Sequence, residues 1–460
     1  MRNLKLVAVS VTVALAFGAA GCSSSPNGSS AAATGGSSSG QAAGPVTLTM
    51  GAWTYDTPKI QDNLKEFSAV EAQKTPAKTV SVDLSDADFS IYNEFIATRF
   101  SAGKGLDVFY GSDQWLSQWA AAGWAVPVEQ YYPQLKDYTA DLSKSAVNAL
   151  TYKGQLYGLP YYADAMYFVY NKKLLDAAGI SGPPTTWDQV TQDSTSIKQK
   201  GLTDTPIEIG LAAGSWLDEV LYAMVYSNGG QMFDQNLKPV FGTSSGPFYD
   251  AVQWLAAALK NNLMPQSVLG LDAVDIETAF LAGTVAFAII PGYMFSDLND
   301  PSVSKIAGSA DIALMPGSTH GTDAYTRLVL MGKGALENQA TRDAAWDLVQ
   351  FLGGKSTING VTGYNIPKSW AVDNGLGFAA TPLWNDPQVV AKFSKMVDVN
   401  TMKQQQQLAE TKQGIQAPWY SEWISYVEQN IQNAIQGQAS TASVLQGIQQ
   451  YWLTLQSQYQ

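Results

Sequence analysis

From Val46 onward, apolar and polar positions change period in a regular way. Val46-Thr47-Leu48-Thr49-Met50 alternates one for one, the spacing of a half-buried strand. Ile60, Leu64 and Phe67 then fall at helical spacing, and Val80-Ser81-Val82 returns to strand. A second helical stretch runs from Tyr92 to Phe100, broken by Gly103 and Gly105 before the strand Leu106-Asp107-Val108-Phe109-Tyr110. The alternation resumes after Gly154. Strands that alternate with helices predict an α/β architecture with mainly parallel pairing. Pro183-Pro184 followed by Thr186-Trp187-Asp188-Gln189 joins a proline stop to a capping box, with Thr186 at the cap and Gln189 three residues on. Trp187 is then expected to pack. Apolar stripes over Trp419–Ile435 and Ser443–Leu455 predict two terminal helices closing against a second domain.

The first residues follow another logic. A basic start (Arg2, Lys5) precedes an apolar run from Leu6 to Ala20, which ends in Ala19-Ala20-Gly21-Cys22. That order is a secretory signal with small residues at the cut. The run falls short of the roughly 20 residues that span a bilayer. The segment resembles the lipobox of bacterial lipoproteins, with Ala19 where that motif usually carries Leu. The resemblance implies a signal over residues 1–21, diacylglyceryl transfer to Cys22, and a mature chain held outside the cell by lipid. The alternative is a plain secretory signal followed by an incidental cysteine. Residues 22–45 are mostly Ser, Gly and Ala, the composition of a flexible tether.

Composition narrows the chemistry. The part after the tether is too long for one ordinary core and predicts two domains. Cys22 is the single cysteine and His320 the single histidine, so disulfides, Cys/His zinc sites and the usual Ser-His-Asp or Cys-His machinery are excluded. His320 follows Pro316-Gly317-Ser318 in an expected solvated loop. With 27 basic against 39 acidic residues and no Lys/Arg run, the chain lacks the footprint of a nucleic-acid binder. Only 14% of residues are charged, whereas Trp (13) and Tyr (22) are abundant. Rings and uncharged donors suit a hydroxyl-rich ligand with apolar faces. No cofactor or metal is expected.

Several segments, in order, are similar to the family 1 extracellular solute-binding proteins of ABC importers, in their sugar-binding cluster. They are Gly105-Leu106-Asp107-Val108-Phe109, with Leu106 where the family usually has Pro, and Trp119 to Val128. Next come Tyr152 to Pro160, Tyr170-Asn171-Lys172-Lys173-Leu174-Leu175, Ala178-Gly179 and Pro184-Thr185-Thr186-Trp187. Ala279 to Phe287 and Ala344 to Leu352, with Gly363 and Pro367, complete the set. The resemblance implies a two-lobed periplasmic-binding-protein-like fold of class II, with a ligand cleft between lobes joined by hinge crossings. It implies a first lobe over 46–160 and 317–353, and a second over 161–316 and 354–460. It also implies a monomer that delivers a carbohydrate to membrane permease subunits rather than an enzyme.

Cleft contacts belong outside the carboxyl ends of the strands. Trp53 and Tyr55 follow the first strand, and either line the ligand or pack at the rim. Asp113 follows the next strand and either accepts sugar hydroxyls or caps a helix. Trehalose- and maltose-type binders, the nearest members, carry an Asp at that place and an aromatic-x-Asp like Tyr162-Ala163-Asp164. Trp216 sits at a Gly-led helix start, and Tyr293 stands where the family more often has Trp. Arg327 either forks two hydroxyls or pairs with Asp323 at the surface. Tyr364, Asn365 and Trp384 complete the candidates. Two rivals stay open: a secreted glycosidase using Asp113 and Asp164 as its two carboxylates, and a non-catalytic adhesin whose rings are all core.

Overall fold

A computed structural model describes residues 44–214 and 216–459. The signal-like segment, Cys22 and most of the Ser/Gly/Ala tract lie outside the described residues. Strand β1 (Val46–Trp53) lies between β2 (Val80–Ala87) and β3 (Val108–Ser112), parallel to both. The alternation seen in the sequence holds for its first residues. From Met50 to Trp53 every side is buried, because helices cover both faces there. Asp107, inside the first matched segment, is a clip: its Oδ2 accepts the Thr49 backbone N–H at 2.7 Å and the Thr49 hydroxyl at 2.8 Å.

A short hairpin, β4 (Thr151–Tyr152) and β5 (Gln155–Leu156), leads into β6 (Gly158–Asn171), buried throughout except at Tyr170. Then come β7 (Ile207–Glu208), β8 (Phe287–Pro291), β9 (Ala310–Ala313) and the fully buried β10 (Thr322–Met331). A second hairpin, β11 (Ser356–Ile358) and β12 (Val361–Gly363), and β13 (Ala409–Thr411) follow. The main sheet runs β2-β1-β3-β10-β6-β8-β7, with β13 beside β10 and β9 beside β6.

The pairing departs from the mainly parallel expectation. β10 is antiparallel to β3 and β6, and β6 is antiparallel to β8 and β9. The reason is that two strands cross between the halves in opposite directions. Residues 158–165 of β6 pair with β10, whereas 166–171 pair with β8 and β9. The crossing is tight. A Cβ on Gly158 would stand 2.1 Å from the Val329 carbonyl oxygen, so the two backbones meet at a distance only glycine allows.

Helices form where the spacing placed them, with shifted ends. They span Thr57–Gln73 and Phe89–Ser101, and β2 extends to Ala87 rather than stopping at Val82. The second helix therefore opens on Phe89, its N-cap Asp88 accepting the Ser90 N–H at 3.0 Å. Thr186 caps helix Trp187–Gln199 as expected, but Gln189 reaches back to the Thr185 N–H at 2.7 Å instead of to the cap residue. Trp187 packs on Trp254 at 4.7 Å.

The terminal helices are Tyr420–Ile435 and Thr441–Tyr459, with Trp423 and Trp452 fully buried. They pack on helix Pro247–Lys260, and the first also touches helix Asp113–Ala121. His320 is half-buried rather than solvated. Its Nδ1 lies 2.9 Å from the Met315 carbonyl oxygen, and its backbone turns through positive φ. No helix among the described residues is long and apolar enough to cross a membrane.

Candidate ligand-binding cleft

β3, with β1 beside it, ends against Arg327 of β10, and β8 ends against Met166 of β6, so their carboxyl ends converge from both flanks on the middle of the crossing strands. Register pairs Arg327 with Tyr162 and Tyr325 with Asp164, so these four point to one face. Arg327 is the centre. It is only 3% exposed, and its guanidinium carbon lies 4.9 Å from the Tyr325 ring centroid, 5.1 Å from Phe89 and 6.0 Å from Trp216. Nη1 donates to Ser112 Oγ at 2.9 Å and stands 3.6 Å from Asp113 Oδ1. That is its one hydrogen bond within 3.5 Å among the described residues, with the Tyr162 hydroxyl its next polar neighbour, which leaves part of the fork for another acceptor.

Around it stand Tyr55, Trp216 and Tyr293. Trp216 caps helix Leu217–Ser227 with φ +66°, a left-handed backbone uncommon for a bulky residue. Its ring meets Tyr293 at 5.9 Å and Tyr325 at 5.3 Å. Tyr55 keeps 59% of its surface open, and its ring stacks on Trp53 with centroids 6.5 Å apart. Burial pushes its hydroxyl's ionisation up, with Tyr162 and Asp56 adding to the effect. An open ring backed by another ring is the geometry of a stacking platform.

Asp164 lies under the floor. Oδ1 accepts the Ala165 N–H at 2.9 Å, while Oδ2 has no hydrogen-bond partner among the described residues, and neither has the buried Tyr325 hydroxyl. Burial pushes this carboxyl up to about 7, against the Ala165 N–H, the nearby Tyr293 N–H and Tyr325 hydroxyl, and the charge of Arg327. Two glycines make the room for it. A Cβ on Gly292 would stand 2.4 Å from Oδ1, and one on Gly377 would stand 2.9 Å from Cγ.

Other candidates fall elsewhere. Trp53 has no exposed surface: it is ringed by Phe89, Tyr92, Tyr110, Trp115 and Tyr161. Its indole N–H donates to Tyr161 Oη at 2.6 Å, and that hydroxyl donates to Asp56 Oδ2 at 2.8 Å, so it braces the wall from behind. Asp113 is also spoken for. Its oxygens accept from the Ser112 hydroxyl and from the N–H groups of Gln114 and Thr326, which makes it the support of Arg327 and β10 rather than a free acceptor or a cap. Arg327 does not pair with Asp323, which is fully buried and lies 3.0 Å from Lys412 Nζ.

Tyr364 donates to Asp141 Oδ2 at 3.0 Å and packs on Tyr138, away from this face. Asn365 fastens the β11–β12 hairpin through the Ser356 and Val361 carbonyls. Trp384 packs on Phe378 at 4.6 Å and lines a separate groove. The residues missed were Phe89, Tyr325, Asp56 and Tyr161. Tyr325 had a signal, since it stands two positions from Arg327 on a strand and so shares its face.

The cleft rests on a buried charge cluster. Lys412, just past β13, lies 3.1 Å from Glu219 Oε1 as well as 3.0 Å from Asp323 Oδ2. Burial pushes Asp323 up. It also opposes ionisation of Glu219, but Lys412, a hydrogen bond with Asp218 and the charge of Arg327 together outweigh it and that carboxyl falls to about 2.

Residues 54–357 match the family model described as bacterial extracellular solute-binding protein. The chain belongs to that family. It is a solute-binding protein and not an enzyme, so the glycosidase reading of Asp113 and Asp164 falls. Among relatives, the maltotriose-binding protein of Pyrococcus abyssi is 22% identical over 292 residues, 63% of this chain and 58% of its own. The mannitol-binding protein of Pseudomonas aeruginosa is 29% identical over 203 residues, 43% and 45% of the two chains. Among solved structures, maltose-bound MalE3 of T. maritima superposes with a TM-score of 0.71 at 20% identity, over 89% of this chain and 99% of that one. That likeness is one of fold, and this solute-binding protein shares its two-lobed architecture.

Proposed function

We propose that this solute-binding protein captures an uncharged, hydroxyl-rich solute in the aromatic cleft and delivers it to the permease of an ABC importer. The solute is a sugar, and within that class a di- or oligosaccharide of the maltose or trehalose type. The observation that carries the reading is Arg327, buried with one hydrogen bond to Ser112 and part of its fork free, among Tyr55, Trp216 and Tyr293 and near the unpartnered Asp164 Oδ2. Rings stack on the apolar faces of a pyranose, the guanidinium donates to two neighbouring hydroxyls, and the carboxylate accepts from another. The relatives named for maltotriose and mannitol bind uncharged, hydroxylated solutes, which agrees with this chemistry.

In this reading residues 46–160 and 317–353 form one lobe, and 161–316 with 354–460 the other. The ligand bridges them and so favours closure, because it contacts both lobes only in the closed form. The chain acts as a monomer, held at the membrane by lipid on Cys22.

Calorimetric titration with monosaccharides, disaccharides, short oligosaccharides and polyols tests the proposal. One saturable ligand is expected, bound one to one and recovered unchanged. Cleavage of any of them, or no binding across the set, would contradict it.

A further inference from the structure

A groove of ≈1880 Å³ lies apart from the cleft, and none of Tyr55, Tyr162, Asp164, Trp216, Tyr293 or Arg327 lines it. One wall is helix Lys144–Ala149 with the β4–β5 hairpin, and the other is the turn at Phe233 to Leu237. The segment from Lys403 to Trp419 forms its floor. Its volume exceeds the roughly 300–1,000 Å³ that holds one small ligand, so its natural occupant is elongated.

The lining identifies the chemistry. Tyr459 keeps 55% of its surface open and lies 5.3 Å from Trp419, while Trp384 is half-buried, packed on Phe378 and covered by the Lys403 ammonium 5.2 Å from its ring centroid, so Tyr459 is the open ring. In the same lining the side-chain amides of Asn148, Gln407 and Gln416 have no hydrogen bond to the described residues. Each amide offers donors and an acceptor on one group. Charge is near balance, with Lys144, Lys153 and Lys403 against Asp234 and Glu410 beside the paired Lys412. A nucleic-acid strand needs a basic track, and a lipid chain needs a continuous apolar lining. A neutral chain of sugar rings needs a flat platform together with uncharged donors and acceptors, and Tyr459 with the three amides supplies both.

We propose that the groove is a second carbohydrate site, one that takes an oligosaccharide chain of several rings. It does not depend on the identity of the cleft ligand. Its floor is fastened to both walls, by Thr411 Oγ1 donating to the Ser145 carbonyl at 2.8 Å and by the Phe233 N–H donating to Gln413 Oε1 at 3.1 Å. A chain lying there therefore contacts segments from both walls.

The test is calorimetric titration of the full chain with maltoheptaose. Two variants separate the sites: Tyr55→Ala in the cleft, and Gln407→Ala/Gln416→Ala/Tyr459→Ala in the groove. All four side chains are exposed or partly exposed, and a thermal melt on each variant verifies folding. Tyr55→Ala, which weakens the cleft, is expected to leave the groove component of maltoheptaose binding at its original affinity, and the groove variant to lose at least tenfold of that component. The groove variant should bind short cleft ligands as the unmodified chain does. Loss of all maltoheptaose binding in Tyr55→Ala would overturn the second site. So would a groove variant that binds like the original, or a groove that retains peptides and no oligosaccharide. If short sugars fail at the cleft while maltoheptaose still binds the groove, the cleft reading falls and this one stands.

Discussion

Replacing Arg327 with methionine is expected to weaken ligand binding by at least 100-fold and to lower folding stability by about 3–5 kcal/mol. The stability loss follows from burial. Arg327 is 3% exposed and Asp113 is 2% exposed, and removing one partner strands the other charge in a low-dielectric interior. The affinity loss follows from the fork. A hydrogen bond from a charged donor contributes about 1.5–3 kcal/mol, so two of them account for a factor of 100 or more. Lysine separates the two effects. Arg327→Lys restores a countercharge for Asp113 and should recover most of the stability, but it lacks the planar fork and should not recover affinity. Chemical denaturation and calorimetry on the two variants measure both quantities. Ligand affinity that survives in Arg327→Met would remove Arg327 from the site.

The second large effect is a pH dependence centred on Asp164. Burial raises this carboxyl to about 7 in the folded chain, from an ordinary value of 3.8. Between these values the native state holds a proton that the unfolded chain releases. The group's stabilising contribution is therefore full below about pH 4, and it is lost as pH rises through 7, by up to about 1.4 kcal/mol per pH unit. Asp56, raised to about 6, and Glu277 and Glu428, each raised to about 7, tilt stability the same way. Ligand binding should move oppositely. Only the ionised carboxylate is a full acceptor, so affinity should rise about tenfold from pH 6 to pH 8 as that form fills. Asp164→Asn should flatten the affinity profile and reduce the slope of stability with pH. An affinity profile that stays the same in Asp164→Asn would assign the titration to another group.

Local signals carried much of the fold. Alternation at Val46–Met50, helical spacing at Ile60–Phe67, the Thr186 cap and the terminal stripes all mark elements that are present, because each depends on neighbours in sequence. The antiparallel crossings did not announce themselves, since both β6 and β10 are buried and carry no alternation from which to read direction.

The same division holds in the cleft. Tyr162, Asp164, Trp216, Tyr293 and Arg327 converge with Tyr55, because each lies on or just after a strand of the main sheet or, for Trp216, at a helix start. Trp53 looked equivalent to Tyr55 from its position. Its burial depends on rings from Phe89, Trp115 and Tyr161, which arrive from three distant segments. Asp113 was a good acceptor by type, but the backbone N–H of Thr326, 213 residues away, takes one of its oxygens. Phe89 was hidden by a strand that ran five residues beyond its visible pattern.

The measurement that tests the account most directly is calorimetric titration of Tyr55→Ala with the sugar that binds the unmodified chain. The ring is 59% exposed and has little packing to lose, so the variant should melt as the original does. Losing a stacking face should weaken binding about tenfold or more, from the roughly 1.5–3 kcal/mol that burial of an aromatic ring supplies. Equal affinity in the two chains would mean that the sugar binds outside the aromatic cleft.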